Sequence, residues 1–294
     1  MLQFPILFRF VRSTLCDPKV SPSQIAKPVL FFPGFIVRTH SFSAIVAAIF
    51  LTGSTNAQTE SIMTNKQKPR PKVIFLDVNE TLLDLAPLKV SVTKALDGRE
   101  GMVGLWFSMM LHHSLVDTLT GKYHDFPEIG VATLRMLAES NGIALSQKDA
   151  ENAIIPAIQN LPPHPDVIEG LKSLKSQGFL LVSLTNSSNA GVREQFKNAG
   201  LLEIVDRRLT VEGIHKFKPD QGVYRWALEQ VGVGAGDAMM VAAHGWDIAG
   251  AGTAGLQTVF VARPGKVLYP LAEKPDHVVK DIKELAGLLK TTKP

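Results

Sequence analysis

The sequence predicts an α/β fold: an open parallel sheet with helices on both faces, interrupted after its first strand by an all-helical insertion. Three observations carry that expectation. Short, continuously apolar runs recur along the chain, each ending in polar residues; stretches with helical periodicity separate them; and one long interval between the first two runs has no strand signal.

The chain has 294 residues and is 45% hydrophobic, enough for one domain with a sizeable insertion or two closely associated domains. A net charge of +4 and a pI near 9.1 suggest a nucleic-acid partner. The excess lies at the front, however: the first 62 residues hold five of the 31 basic and two of the 27 acidic residues, which leaves 26 against 25 from Met63 onward. A nearly neutral remainder argues against an electrostatic nucleic-acid footprint. Cys16 is the only cysteine, so neither an intramolecular disulfide nor a cysteine-rich metal site can form.

Residues 1–71 read as a leader and linker. "FSAIVAAIFL", residues 42–51, is too short to span a bilayer comfortably, and "TGSTNAQ" after it places Thr55 and Ala57 as at a signal-peptidase site. This predicts export to a periplasm with cleavage near Ala57 and no stable membrane span in the mature protein. The pattern lies deep for a leader that begins at Met1. Translation from near Val37 gives a leader of ordinary length, whereas translation from Met63 gives a cytoplasmic protein. The polar, proline-bearing "TNKQKPRPK", residues 64–72, links to the first folded element.

"VIFLDV", residues 73–78, is the first buried strand, and "GFLLVSLTN", "AMMVAAH" and "LQTVFVA" are its counterparts further along. The segments "HPDVIEGLKSLKSQG" and "DQGVYRWALEQVGVG" fit helices with glycine stops. The sheet core is therefore assigned to residues 72–85 and 162–294. Residues 86–161 form the insertion, where "VGLWFSMMLHHSLVDTLTG", "FPEIGVATLRMLAES" and "SQKDAENAIIPAIQN" all fit helices. Ligands of such sheets bind beyond the carboxyl ends of the strands, so helices inserted there are expected to act as a cap.

Polar residues cluster at those same ends. Asp77 closes the first strand, Thr185 and Asn186 the second, Lys218 precedes a helix, and His244 and Asp247 follow a later strand. In this order they resemble the haloacid dehalogenase superfamily, over roughly residues 72–290. Asp77 and Thr81 stand in its first motif, Thr185 in the second, Lys218 in the third and Asp247 in the fourth. The stretches "LWFSMMLHHSLVDTLTGKYHDF", "FKPDQGVY" and "HGWDIAGAGTAGL" are most similar to the L-2-haloacid dehalogenases.

The resemblance implies a Rossmann-like core with a helical cap, no cofactor, no metal, and a possible homodimer. It also implies that Asp77 attacks the substrate and forms an ester that water then hydrolyses. Lys218 is expected to keep Asp77 ionised, since a nearby cation favours the charged form. Thr81 and Thr185 are placed to hydrogen-bond the carboxylate or the substrate; Thr185 is equally well read as a β-branched strand residue.

Departures from the pattern narrow the chemistry. Phosphatases of the superfamily carry an aspartate two residues after the nucleophile, as the acid for a leaving alkoxide; here Asn79 stands there, and an amide cannot exchange that proton. A halide leaves without one. Where the phosphatases have two fourth-motif aspartates, this chain has Ala243 and Asp247, which weakens an all-oxygen magnesium site. Against the dehalogenases, Trp106 is followed by Phe107 instead of an arginine that helps to hold the halide, and the family's serine and asparagine become Ala242 and His244, while Asn186, Tyr224 and Asp247 remain. With Met109 and Met110, Trp106 and Phe107 are expected to form an apolar wall.

His244, with an ordinary pKa near neutrality, is expected either to serve as base for the hydrolytic water, alone or with Asp247, or to be structural. Tyr123 and Phe126 are read as fixing the cap, His112 and His113 as candidate substrate contacts from a cap helix, and Arg263 as a structural ion-pair residue. The expected activity is hydrolysis of a small 2-substituted carboxylic acid. The alternatives are a magnesium-dependent phosphatase and a non-catalytic binding protein on the same scaffold.

Overall fold

In the computed structural model, residues 68–291 are described. The leader, with its signal-like segment and both candidate start sites, lies outside them. Among the described residues no helix is long and apolar enough to cross a membrane.

Strand β1 (Val73–Leu76) is wholly buried, with β2 (Leu180–Thr185) on one side and β4 (Ala238–Ala242) on the other. Buried on both faces, it can be apolar at every position, which is why "VIFL" shows no alternation. The sheet continues through β3 (Arg207–Thr210) at one edge, and through β5 (Gln257–Val261) to β6 (His277–Val279) at the other. All six strands are parallel, in the order β3-β2-β1-β4-β5-β6. The chain thus leaves β1 in opposite directions to reach β2 and β4. The crevice at that switch point, beyond the carboxyl ends, is where such sheets bind ligands.

The edge strands have no counterpart in the sequence reading. β3 is "RRLT", with both arginines exposed, and β6 is three residues long. Pairing on one side only leaves too little burial to impose an apolar run.

Between β1 and β2 run five helices: α1 (Ala86–Ala95), α2 (Val103–Thr120), α3 (Phe126–Ser140), α4 (Gln147–Gln159) and α5 (Val167–Ser176). The first four form the insertion. Gly121, at φ 69°, ends α2; Asp125 and Glu128 cap α3 reciprocally; Ser146 caps α4. Where the insertion leaves and rejoins the sheet, the chain is pinned to itself, with Asp84 N–H donating to Pro162 O at 2.8 Å and His164 N–H to Leu82 O at 2.9 Å. The far end of the insertion docks through aromatic rings: Tyr123 and Phe126 lie 5.5 and 5.8 Å from Phe217, whose N–H donates to Thr118 Oγ1. The remaining helices, α6 (Asn189–Asn198), α7 (Gln221–Val231), α8 (Gly245–Thr253) and α9 (Ile282–Thr291), connect or follow the later strands.

Candidate active site

Asp77 stands one residue past β1, with its N–H held by Val241 O of β4 at 3.0 Å. Its two carboxylate oxygens are treated differently. Oδ2 accepts from Thr81 Oγ1 at 2.6 Å and lies 3.1 Å from His244 Nδ1; Oδ1 accepts from Lys218 Nζ at 2.9 Å. Thr81 is aimed by the backbone, because its hydroxyl oxygen in turn accepts the Ala243 N–H at 2.9 Å.

Lys218 is completely buried, and its ammonium is fully used: Asp77 Oδ1, Asp247 Oδ2 at 2.6 Å and Leu184 O at 2.8 Å take its three protons. Its own N–H is held by Asn186 Oδ1. Asp247, on the first turn of α8, also accepts from Tyr224 Oη at 2.6 Å. Burial pushes the Asp77 carboxyl up, but the Lys218 charge, then His244 and Thr81, overcome it and hold it well below the usual carboxylate range. Asp247 moves the other way: burial raises it against the pull of Lys218, and the charge of Asp77 adds to the rise. Burial opposes the Lys218 charge, yet Asp247 and Asp77 together push its pKa up. Asp77 is thus the ionised partner and Asp247 the more basic one.

On the other side of Asp77 stands a group absent from the sequence reading. Glu80 is 6% exposed, and its Oε2 lies 2.9 Å from His244 Nε2 and bonds Lys266 Nζ; Lys89 approaches Oε1 at 3.5 Å. Its backbone is left-handed, at φ 64°, a conformation that costs a non-glycine residue about 1–2 kcal/mol. Burial opposes ionisation of Glu80, but the hydrogen bonds from His244 and Lys266 bring its pKa down to about 2.

His244 is therefore bracketed by two ionised carboxylates, neither of which can donate, so both ring nitrogens must carry protons. Burial acts against that charge, but the bonds to Asp77 and Glu80 win and raise its pKa to about 9. This departs from the expectation of a near-neutral base: while Asp77 and Glu80 are both ionised, their bonds favour the doubly protonated ring at neutral pH. Trp246 stacks on it at 5.0 Å, and Phe107 lies nearly parallel to it at 6.4 Å.

Of four other residues expected at the substrate, three spend their polar atoms on the protein itself, and the fourth, Trp106, keeps one flank on open space. Tyr224 is fully buried behind Asp247, and its hydroxyl is spent there. Thr185 is buried, with its hydroxyl accepting the Ser187 N–H. Asn79 turns away from Asp77: Gln195 Nε2 donates to its Oδ1 at 2.9 Å and also to Ile158 O of α4, while Asn79 Nδ2 donates to Ser187 Oγ. Trp106 gives its indole N–H to Gly130 O inside the insertion, and only its flank reaches open space. Asn186 differs, because its amide nitrogen is buried without a partner. Arg263 makes a bidentate ion pair with Asp166 and donates to Thr81 O, bracing the first motif from behind.

A cavity of about 640 Å³ opens beside this cluster, lined by Glu80, Leu88, Trp106, Phe107, Lys89 and Lys266. That volume suits a small ligand. His113 instead borders a separate hollow within the insertion, and His112 is exposed. Glu80, Lys266 and Trp246 are the residues the sequence reading missed. Glu80 lies inside the first motif, but only the folded chain brings Lys266, 186 residues later, to its carboxylate. Among the described residues no cluster of three or more His, Cys, Asp or Glu is arranged to hold a metal ion.

Comparison with known proteins gives a consistent picture. A model of the haloacid dehalogenase-like hydrolases matches residues 71–255. (S)-2-haloacid dehalogenase 1 of Pseudomonas sp. strain CBS-3 is 31% identical over 219 residues, covering 74% of this chain and 96% of that one. The (S)-2-haloacid dehalogenase of Pseudomonas sp. strain YL is 27% identical, covering 75% and 95%. The fold is shared with L-2-haloacid dehalogenase from Xanthobacter autotrophicus, solved with chloropropionic acid covalently bound, at a TM-score of 0.70 and 23% identity, covering 76% of this chain and all of that one.

Proposed function

The chain belongs to the haloacid dehalogenase-like hydrolases, and we propose that it hydrolyses the carbon–halogen bond of small 2-halo carboxylic acids through an ester on Asp77. The observation that carries this reading is the asymmetry of the Asp77 carboxylate. Oδ2 has two close partners, whereas Oδ1 has only the Lys218 ammonium among the described residues and keeps a lone pair free to attack.

In the first step Oδ1 bonds to carbon 2 from the side opposite the halogen, and the halide departs with the bonding pair, inverting the carbon. In the second, water bonds to Cγ of Asp77 and yields one proton to Asp247, the more basic carboxylate. The Cγ–Oδ1 bond then breaks, and the 2-hydroxy acid leaves with a proton from Lys218, which recovers one from Asp247 across 2.6 Å. The last water proton passes to solvent as Asp77 ionises.

Charge favours an acid as substrate. Asp77, Glu80 and Asp247 face Lys218, His244, Lys266 and the more exposed Lys89, so the site as a whole has room for one further anion. The unpartnered amide of Asn186 supplies a donor for the substrate carboxylate. Phe107 and the flank of Trp106 supply the apolar wall, and the Lys266 ammonium, 5.9 Å from the Phe107 ring centre, is a cation beside the place where the family has an arginine. Asp77 is only 5% exposed, so substrate enters by displacing Phe107 and the helical cap. The donor set supports a reaction without metal: the Asn79 amide is bonded to Gln195 and Ser187, and Ala243 carries no side-chain oxygen to complete a shell.

The test is halide release from L-2-chloropropionate in the presence of chelator. Asp77→Asn is expected to lose at least about a thousandfold in kcat, and a single turnover in ¹⁸O-water is expected to leave the label in Asp77. Activity that requires added magnesium, or label only in the product, overturns the reading.

A further inference from the structure

Step two of that reaction raises a question about Oδ2. While Asp77 is esterified through Oδ1, Oδ2 is the carbonyl oxygen of the ester. When water adds to Cγ, the carbonyl π pair moves onto Oδ2 and makes it an oxyanion. The two groups beside that oxygen are the Thr81 hydroxyl at 2.6 Å and His244 Nδ1 at 3.1 Å. Both are fixed before the reaction begins: Thr81 by the Ala243 N–H, and His244 by Glu80 on its far nitrogen and Trp246 on its face.

We propose that Thr81 and His244 form an oxyanion hole for hydrolysis of the Asp77 ester, and that Glu80 is the positioning residue that keeps His244 a two-proton donor. The inference rests on the ester mechanism proposed above and assigns His244 to its second half. His244 does not lie opposite the attacking Oδ1, so it contributes little to halide departure. Charged donors aimed at a developing oxyanion in a dry site are worth far more than in water, because they need no reorganisation.

The left-handed Glu80 has a purpose in this arrangement. Its carboxylate meets His244 on one oxygen, and Lys266 and Lys89 neutralise what the imidazolium does not. The groups facing His244 are Asp77, Glu80 and the rings of Trp246 and Phe107, with Lys218 behind Asp77. In the free enzyme, with both carboxylates ionised, the ring holds its second proton up to about pH 9; once Asp77 is esterified its charge is gone, and Glu80 is the carboxylate left to hold that proton.

The experiment is rapid quench with L-2-bromopropionate, following halide and, by peptide mass spectrometry, ester on Asp77. For His244→Gln the expected result is a stoichiometric burst of halide at nearly the parental rate, followed by turnover slowed about a hundredfold or more, with ester accumulating. A Glu80→Gln variant adds an independent readout. The alkaline limb of ester hydrolysis, which in the parent lies below about pH 9 because esterified Asp77 carries no charge and Glu80 alone supports the imidazolium, is expected to move further down toward the ordinary histidine value, while the halide burst keeps its pH profile. Ester that forms and clears in His244→Gln at the parental rate, or an alkaline limb unmoved in Glu80→Gln, overturns this inference alone. Absence of ester in parent and variants alike overturns the mechanism beneath it.

Discussion

The two flanks of Asp77 are built on opposite plans. On the Lys218 side the groups are wholly buried and all three ammonium protons are taken, with Asp247 and Tyr224 continuing the network into the core. On the Glu80 side, Glu80, Phe107 and Lys266 border the cavity, Lys266 is partly exposed, and two residues that depart from the family pattern, His244 and Phe107, stand beside them. The contrast separates two tasks. A sealed flank can fix the charge of a nucleophile, but only a flank that meets the cavity can select what the nucleophile attacks.

The strongest challenge to that division is Lys218→Met. Removing the ammonium leaves Asp77 and Asp247 facing each other in a dry interior, a change that costs about 3–5 kcal/mol when one partner of a buried pair is lost. Thermal denaturation is expected to show that loss together with the disappearance of halide release. A variant that melts like the parent would mean the sealed flank is not structural.

Lys266→Ala probes the other side and should behave differently. Its side chain is 23% exposed and its ion pair with Glu80 is correspondingly screened, so the stability change is expected to stay within about 1 kcal/mol. KM for 2-halo acids should instead rise roughly tenfold, as expected when one charged hydrogen bond to an anionic ligand is lost. Equal losses in stability and binding would erase the distinction between the flanks.

The smallest effect is expected at Asn79. Because its amide is bound to Gln195 and Ser187 and does not face Asp77, Asn79→Asp should change halide release by less than about threefold in proportion to lost stability. It should confer no magnesium-dependent phosphatase activity. A gain of such activity would place residue 79 at the reacting centre.

The sequence makes the central parallel sheet legible because β1, β2, β4 and β5 are buried and their apolar runs leave no ambiguity. It hides β3 and β6, which are short, lie at the edges and, in β3, carry exposed arginines. In the site, Asp77, Thr81, Lys218 and Asp247 can be read from motif order: Asp77 and Thr81 follow a legible strand, Lys218 precedes a legible helix, and Asp247 follows a later legible strand. Glu80 and Lys266 cannot: their meaning comes from a pairing across 186 residues. The protonation of His244 is hidden for the same reason, because it depends on two carboxylates converging on one ring. Asn79 shows the converse: its place in the motif is plain in the sequence, but the partners of its amide, Gln195 and Ser187, lie more than a hundred residues away and are seen only in the folded chain.

The Asn79–Gln195 bond has an evolutionary consequence. Gln195 Nε2 also donates to Ile158 O at 3.0 Å, so residue 79 belongs to a tie between the first-motif loop, α6 and α4. An aspartate introduced there accepts the same bond from Gln195 and stays turned away. Reacquiring an acid beside the nucleophile therefore takes changes at both 79 and 195, and neither alone yields the new chemistry. The direction of the side chain at 79 is thus a joint property of three elements and not of one position.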